Sequence, residues 1–271
     1  LGDVYKRQMH NRTLYSRILL LMIMSVMLVQ MTACQKSGKA IKVFEYETMD
    51  DGNIKITGLT DKGKNDSKLT IPSQLDDKAV TVIDAGAFKD DNNVTEIVIS
   101  DGIKTINSNA FYNCKALENI TVPQSVESIG INAFSNTKWE SVQYESHTEI
   151  VVNNILVGVK TSASEYTVPD AVKIIAAGVF YNNTDIQSIK LNSNIESIGD
   201  YAFSGCTQLN KLTLPDSVKA IGYCSFSNSS SLNITVPQSV KEVGKDAFMG
   251  VAHVSYSGNM STKDWGADNI N

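Results

Sequence analysis

The sequence predicts a mainly-β solenoid of stacked coils, each about 23 residues long. Three observations carry that reading. Seven of the eight phenylalanines, Phe88, Phe111, Phe134, Phe180, Phe203, Phe226 and Phe248, are spaced by 23, 23, 46, 23, 23 and 22 residues, and 46 is two periods. All five prolines, Pro72, Pro123, Pro169, Pro215 and Pro237, follow the end of an aliphatic run. Between proline and phenylalanine, aliphatic residues return at fixed offsets. A unit this short has one apolar side, which only the next copy can cover.

Residues 191–213 (LNSNIESIGDYAFSGCTQLNKLT) show the grammar. Leu191, Ile195, Ile198, Ala202, Phe203, Leu209 and Leu212 form the inward set. An earlier unit supplies Val122, Val126, Ile129, Ala133 and Phe134 in register. Proline cannot donate to a strand ladder, so it ends the strand before it. Gly130, Gly199, Gly222 and Gly244 follow the second aliphatic residue and predict a turn with positive φ. Ser125, Ser217 and Ser239 lie two residues after proline, where a hydroxyl can satisfy turn amides.

The pattern aliphatic-Pro-x-Ser-Val-x-x-Ile-Gly-x-x-Ala-Phe is nearly complete at 122–134 (VPQSVESIGINAF) and 214–226 (LPDSVKAIGYCSF). It resembles the BspA-like leucine-rich repeats of bacterial surface proteins, over roughly residues 43–256. The resemblance implies a right-handed, curved leucine-rich-repeat solenoid with short parallel strands and an N-terminal β-hairpin cap. It implies a shared scaffold rather than a shared chemistry. The asparagine ladder of the common leucine-rich consensus is absent.

Residues 1–8 (LGDVYKRQ) match nothing downstream and read as an upstream artefact. Residues 9–33 read as a signal peptide, with Arg12 and Arg17 before an apolar stretch at 18–29. Those twelve residues are too few to span a bilayer as a helix. Met31-Thr32-Ala33-Cys34 is similar to a bacterial lipobox, with Met31 in the usual leucine position. This implies cleavage before Cys34 and acylation there, hence a membrane-anchored lipoprotein of the bacterial cell envelope, exposed outside the cytoplasm. Several acyl chains at about 0.8 kcal/mol per buried methylene anchor far better than one. Residues 34–40 are a short polar linker with a reach of only about 20 Å.

Residues 41–60 alternate polar and apolar about Asp51-Gly52, which predicts a capping hairpin with Phe44, Tyr46, Ile54 and Ile56 on one face. The solenoid then runs over 61–256. Its first coil has surplus residues, assigned to an outward loop around Asp76-Asp77-Lys78. Residues 139–166 lack phenylalanine yet keep the period, and read as a variant repeat. Within it, 149–160 (EIVVNNILVGVK) predicts a hairpin about Asn153-Asn154. Residues 257–271 read as a polar tail or partial cap, with Trp265 as a lid.

From Cys34 onward the chain holds 20 basic and 28 acidic residues, a formal charge of −8, and no arginine. Nucleic-acid binding normally leaves a basic, arginine-rich footprint, so that class is disfavoured. A polybasic attraction to anionic lipid is disfavoured equally. Cys114, Cys206 and Cys224 form no in-register pair in adjacent coils and read as small buried fillers. His147 and His253 lie in distant coils and make no metal pair. Asp50-Asp51-Gly52 lacks the glutamate a calcium loop needs. The sequence therefore predicts no catalysis, cofactor or metal. It leaves two functions: a surface-anchored module binding a protein or glycan, or a structural envelope protein without a specific ligand.

The candidate contact face comes from strand alternation. In Ile97-Val98-Ile99, Ile120-Thr121-Val122, Ile189-Lys190-Leu191, Leu212-Thr213-Leu214 and Ile234-Thr235-Val236 the middle residue should point outward. Val98, Thr121, Lys190, Thr213 and Thr235 then form a ladder, with Tyr144 expected at its interruption. Threonine suits a solvated strand on propensity alone. Read functionally, the ladder contacts a partner, and tyrosine adds contact area at low entropy cost. The anchor has its own test. Cys34→Ser is expected to abolish tight membrane association and leave the chain largely unprocessed in fractionation and mass measurements. Normal processing and unchanged membrane retention would refute acylation at Cys34.

Overall fold

Each aliphatic run becomes a strand of two to six residues that pairs with its copy one period on. The computed structural model describes residues 43–267 and 270–271; the stretches read as an upstream artefact, a signal peptide and a linker, and the acylation expected at Cys34, lie outside the described residues. Two columns of parallel strands run along the coils. One contains Lys78–Ile83, Thr105–Ile106 and Ser128–Ile129, and resumes with Ile155–Val159, Ile174–Ile175, Ser197–Ile198, Ala220–Ile221 and Glu242–Val243. The other contains Lys68–Ile71, Glu96–Ile99 and Asn119–Thr121, then Glu165–Thr167, Ser188–Lys190 and Lys211–Leu212, then Asn233–Thr235 and His253–Ser255. This is the predicted β-solenoid of ~23-residue coils. After each of Pro123, Pro169, Pro215 and Pro237, the proline carbonyl accepts from the amide three residues on, at 3.0–3.2 Å.

A third column is built from the turns that carry phenylalanine. Phe111 N donates to Ala133 O at 2.8 Å, Phe180 N to Ala202 O at 2.8 Å and Phe203 N to Ser225 O at 2.7 Å. The residues two before and two after each phenylalanine have positive φ, for example Asn109 and Asn113, Asn132 and Asn136, Gly178 and Asn182. Their amides also donate to the next coil, as Asn109 N does to Ile131 O and Asn113 N to Ser135 O, both at 2.9 Å. The phenyl rings stack almost parallel, 5.1–5.7 Å apart.

The four repeat glycines behave differently from the sequence expectation. Gly130, Gly199, Gly222 and Gly244 do not have positive φ; that role belongs to the residues flanking phenylalanine. What these glycines supply is room. A Cβ on Gly199 would stand 2.6 Å from Ala177 N, and one on Gly222 would stand 2.6 Å from Asp200 N. Gly130 and Gly244 face the preceding coil's backbone in the same way. Two of the three serines after proline also act between coils, while Ser239 Oγ is buried without a hydrogen-bond partner. Ser125 Oγ donates to Ile103 O at 2.9 Å and Ser217 Oγ to Ile195 O at 2.6 Å.

The hairpin strands Phe44–Thr48 and Ile54–Leu59 pair antiparallel, and the second joins Lys78–Ile83 in parallel. Phe44, Ile54 and Ile56 are buried there and Tyr46 is half-buried. The surplus of the first coil is itself a hairpin: Gln74–Leu75 pairs with Lys78–Ile83 across Asp76 and Asp77, both at positive φ. In the variant repeat, Glu149–Val152 and Ile155–Val159 form the expected hairpin, with Asn153 at φ 57°.

The sequence reading missed the helix Lys138–Ser146 that precedes this hairpin. Thr137 caps it, its Oγ1 accepting from Glu140 N at 3.0 Å. Trp139 closes the first ring stack edge-on against Phe134, at 5.2 Å. Tyr166 opens the second against Phe180, at 5.5 Å. At the far end Trp265 is buried, 5.6 Å from Phe248, and its carbonyl accepts from Phe248 N at 2.8 Å. It thus takes the place of a further coil.

The steric reading of the glycines separates from the turn reading by experiment. Gly222→Ala is expected to cost about 1–3 kcal/mol, the range for overpacking. Gly222→Asn should cost at least as much, although asparagine tolerates positive φ. Denaturant midpoints check both, and an Asn variant as stable as wild type would restore the turn explanation.

Candidate functional site

Strand pairing assembles part of the predicted ladder, whereas Thr213 lies one residue past the strand Lys211–Leu212 and pairs with neither Lys190 nor Thr235. Val98 pairs with Thr121 and with Thr70, so the ladder starts one coil earlier than the sequence indicated. Thr167 pairs with Lys190, and Thr235 with Ser255. Thr121, Lys190, Thr213 and Thr235 are exposed and Val98 is half-buried. Alternation places two outward side chains per coil on this face, Lys68 with Thr70, Glu96 with Val98 and Asn119 with Thr121, and Lys68 pairs with Glu96 at 2.7 Å. Three separate short sheets carry it, so it has two breaks, the larger at the variant repeat.

Tyr144 does not join that ladder. It lies on the helix Lys138–Ser146 and packs its hydroxyl over Gly158, a residue of the other strand column. Lys160 Nζ stands 5.8 Å from its ring centre. Burial, then the nearby Glu140 carboxylate, pushes its phenol up to about 12.

The face of the short strands is hollowed. A groove of about 830 Å³ runs along it from Ser108 to Trp265. Its floor is built of small residues, among them Ser128, Gly130, Ser197, Gly199, Gly222 and Gly244. Tyr201 and Tyr223 line it, packed edge-to-face at 5.2 Å, and Tyr181 continues the row from Tyr201 at 6.1 Å. Sequence reasoning passed over these tyrosines because outward positions carry no repeat. One signal was present: Tyr201 occupies a slot that holds Asn, Asp or Gly in five of the seven coils.

A column of alternating charge runs beside the groove. Glu196 sits between Lys219 at 3.2 Å and Lys173 at 3.5 Å, which hold its carboxyl below the usual range, Lys219 contributing more. Lys104 pairs with Glu127 at 2.6 Å in the same column. Among the described residues, no group of three or more His, Cys, Asp or Glu side chains is placed to hold a metal ion. His147 ends the helix Lys138–Ser146 and His253 lies in the last strand.

Cys224 is a buried filler as expected, but Cys114 and Cys206 do more than fill space. Cys114 Sγ donates to Phe88 O at 2.9 Å and Cys206 Sγ to Phe180 O at 3.1 Å; Ser229 Oγ makes the equivalent bond to Phe203 O at 2.7 Å. Each therefore ties its coil to the one before. Burial pushes both thiols up to about 12. Such thiols are inert as nucleophiles at neutral pH. At pH 8, Cys114 and Cys206 are expected to resist alkylation in the native protein and to react on unfolding. Peptide mapping by mass spectrometry reads this directly, and rapid native labelling would contradict the burial.

The family model for the BspA type leucine rich repeat region matches residues 81–182 and 173–262, with six copies. Comparison with curated proteins returns no match. Among solved structures, the leucine rich repeat protein TpLRR of T. pallidum is 23% identical, covering 80% of this chain and 90% of that one, with a TM-score of 0.42. The pneumococcal vaccine antigen PcpA is 17% identical, covering 80% and 79%, with a TM-score of 0.39. A leucine rich cell surface protein from Faecalibacterium prausnitzii is 19% identical, covering 82% and 77%, also with a TM-score of 0.39.

Proposed function

We propose, from the premise that this chain belongs to the BspA type leucine-rich-repeat family, that it is a non-catalytic binding or adhesion module of the bacterial cell surface. One observation carries the reading. The buried side chains stack coil on coil, while the outward positions of the strand columns form rows of mostly polar and charged side chains, Lys68, Glu96 and Asn119 beside Thr70, Val98 and Thr121 in one of them. A solenoid of this kind is a rigid extended platform, suited to partners larger than a pocket could hold. The acyl anchor read at Cys34 would hold it at the membrane, and the short linker would keep it close.

In this reading the ladder of Val98, Thr121, Lys190, Thr213 and Thr235 meets a protein partner. Its regular polar surface favours broad contact over insertion. Tyr144 is withdrawn from that face by its packing on Gly158.

The test starts with an unbiased pull-down of envelope and host components, using the compact unit 42–271. A recovered partner is then measured against two triple variants. Thr121→Glu, Lys190→Glu, Thr213→Glu is expected to weaken binding at least tenfold. Gln124→Glu, Ser193→Glu, Gln238→Glu, on the proline-turn side, should leave it within about twofold. Circular dichroism confirms that both remain folded. Equal losses would move the contact off the ladder. Recovery of no partner would favour a structural envelope protein instead.

A further inference from the structure

We propose that the groove lined by Tyr201 and Tyr223 binds a neutral polysaccharide chain. The inference rests on the reading of the protein as a binding module and names a ligand class for a face other than that of the ladder.

The first argument is backbone strain. Tyr201 has φ 55° at a position filled elsewhere by Gly86, Asn109, Asn132, Gly178 and Asp246, with Cys224 the other exception. A bulky side chain in this region is disfavoured, and asparagine would sit there with little strain. The tyrosine gives little back to the core: its ring neighbours are the exposed Tyr181 and Tyr223. Tyr201 is half-buried against those two rings and outside the apolar core, and strain kept for so little core packing points to a group that serves contact outside the chain.

The second argument is shape and hydrogen bonding. Tyr181 and Tyr223 are 52% and 40% exposed, and the three rings stand one coil apart in an edge-to-face row. Below them lie Gly199, Gly222 and Ser197, which bring backbone and hydroxyl groups to the surface. A ligand that repeats apolar C–H faces and hydroxyls along its length matches both features. An extended peptide does not gain equally, because the floor strands are already paired along the ladder and offer it no free edge.

The third argument is charge. Asp200 Oδ1 accepts from Tyr223 N at 2.7 Å, Glu196 is held by two lysines, and Lys241 Nζ donates to Gln238 O at 3.3 Å. The charges beside the groove are of both signs and largely engaged within the protein. That favours an uncharged ligand over a polyanion.

The test is gel electrophoresis of the full chain, in a sugar-free non-ionic detergent, through gels containing dissolved β-glucan, galactomannan or dextran. Alginate and heparin serve as polyanions. At least one neutral polysaccharide should retard the protein, and the polyanions should not. Tyr201→Asn and Tyr223→Ser should each weaken retention at least tenfold. Tyr201→Asn should do so with a melting temperature equal to or above wild type, since it relieves strain. A purely structural Tyr201 would show the reverse: a lower melting temperature with retention intact. The proposal fails if no neutral polysaccharide retards the chain, if polyanions retard it equally, or if retention survives both changes together. A protein partner recovered by pull-down without polysaccharide retention would sink this inference and leave the binding-module reading standing.

Discussion

Backbone hydrogen bonding from coil to coil is the constraint on which this structure depends. It fixes the rise at the strand spacing of about 4.8 Å and so gives every side chain a slot of one height. Phenylalanine fits that slot when its ring lies nearly parallel to its neighbours, which is how the rings stack. Glycine is needed where one coil's Cα faces the backbone of the coil before it, as at Gly199 and Gly222. Cys114, Cys206 and Ser229 reach one coil back to a phenylalanine carbonyl, because only a short donor fits between turns.

The same constraint explains the abundance of asparagine and aspartate around phenylalanine. Three amides in a five-residue turn must all point along the solenoid axis. Residues at positive φ on both sides of the ring achieve this, and Gly, Asn and Asp enter that region at the lowest cost. Several of these side chains continue the ladder outward: Asn113 Nδ2 donates to Asp90 Oδ1 and Asn136 Nδ2 to Asn113 Oδ1. Tyr201 and Cys224 break the rule in adjacent coils, beside the groove that runs over the short strands.

The period was legible because every coil meets the same slot, so Phe, Pro and the aliphatic positions recur in register. The outward direction of Thr121, Lys190, Thr213 and Thr235 was legible from strand alternation alone, whereas the division of their column into three sheets was not. The role of the glycines was not, since a required glycine looks the same in sequence whether φ or space requires it. The helix Lys138–Ser146 was missed because it has no buried residue and hence no apolar stripe to see. Its start was visible in Thr137-Lys138-Trp139-Glu140, a capping pattern in which Thr137 meets Glu140 N and Glu140 returns to Asn136 N at 2.8 Å. The groove tyrosines were hidden because solvent-facing positions are free to differ from coil to coil. Tyr144 was misplaced because its partner, Gly158, lies in a repeat that departs from the period's pattern.

That variant repeat is a splice rather than a gap. It interrupts both strand columns and the ring stack, and among the described residues Ala177 N to Ile129 O, at 3.2 Å, is the direct backbone bond that crosses the short-strand column. The apolar core divides at the same place. Ile150, Val152 and Ile155 belong to the first cluster, whereas Leu156 belongs to the second. Ile155 and Leu156 are neighbours on one strand, so alternation sends one side chain to each core. Trp139 and Tyr166 close the facing ends of the two ring stacks edge-on, where a parallel ring would have nothing to stack upon. Stability in a solenoid runs through nearest neighbours. The coupling between the two halves therefore passes through the 149–159 hairpin and the aromatic residues beside it, and this segment decides whether the platform behaves as one rigid body or as two.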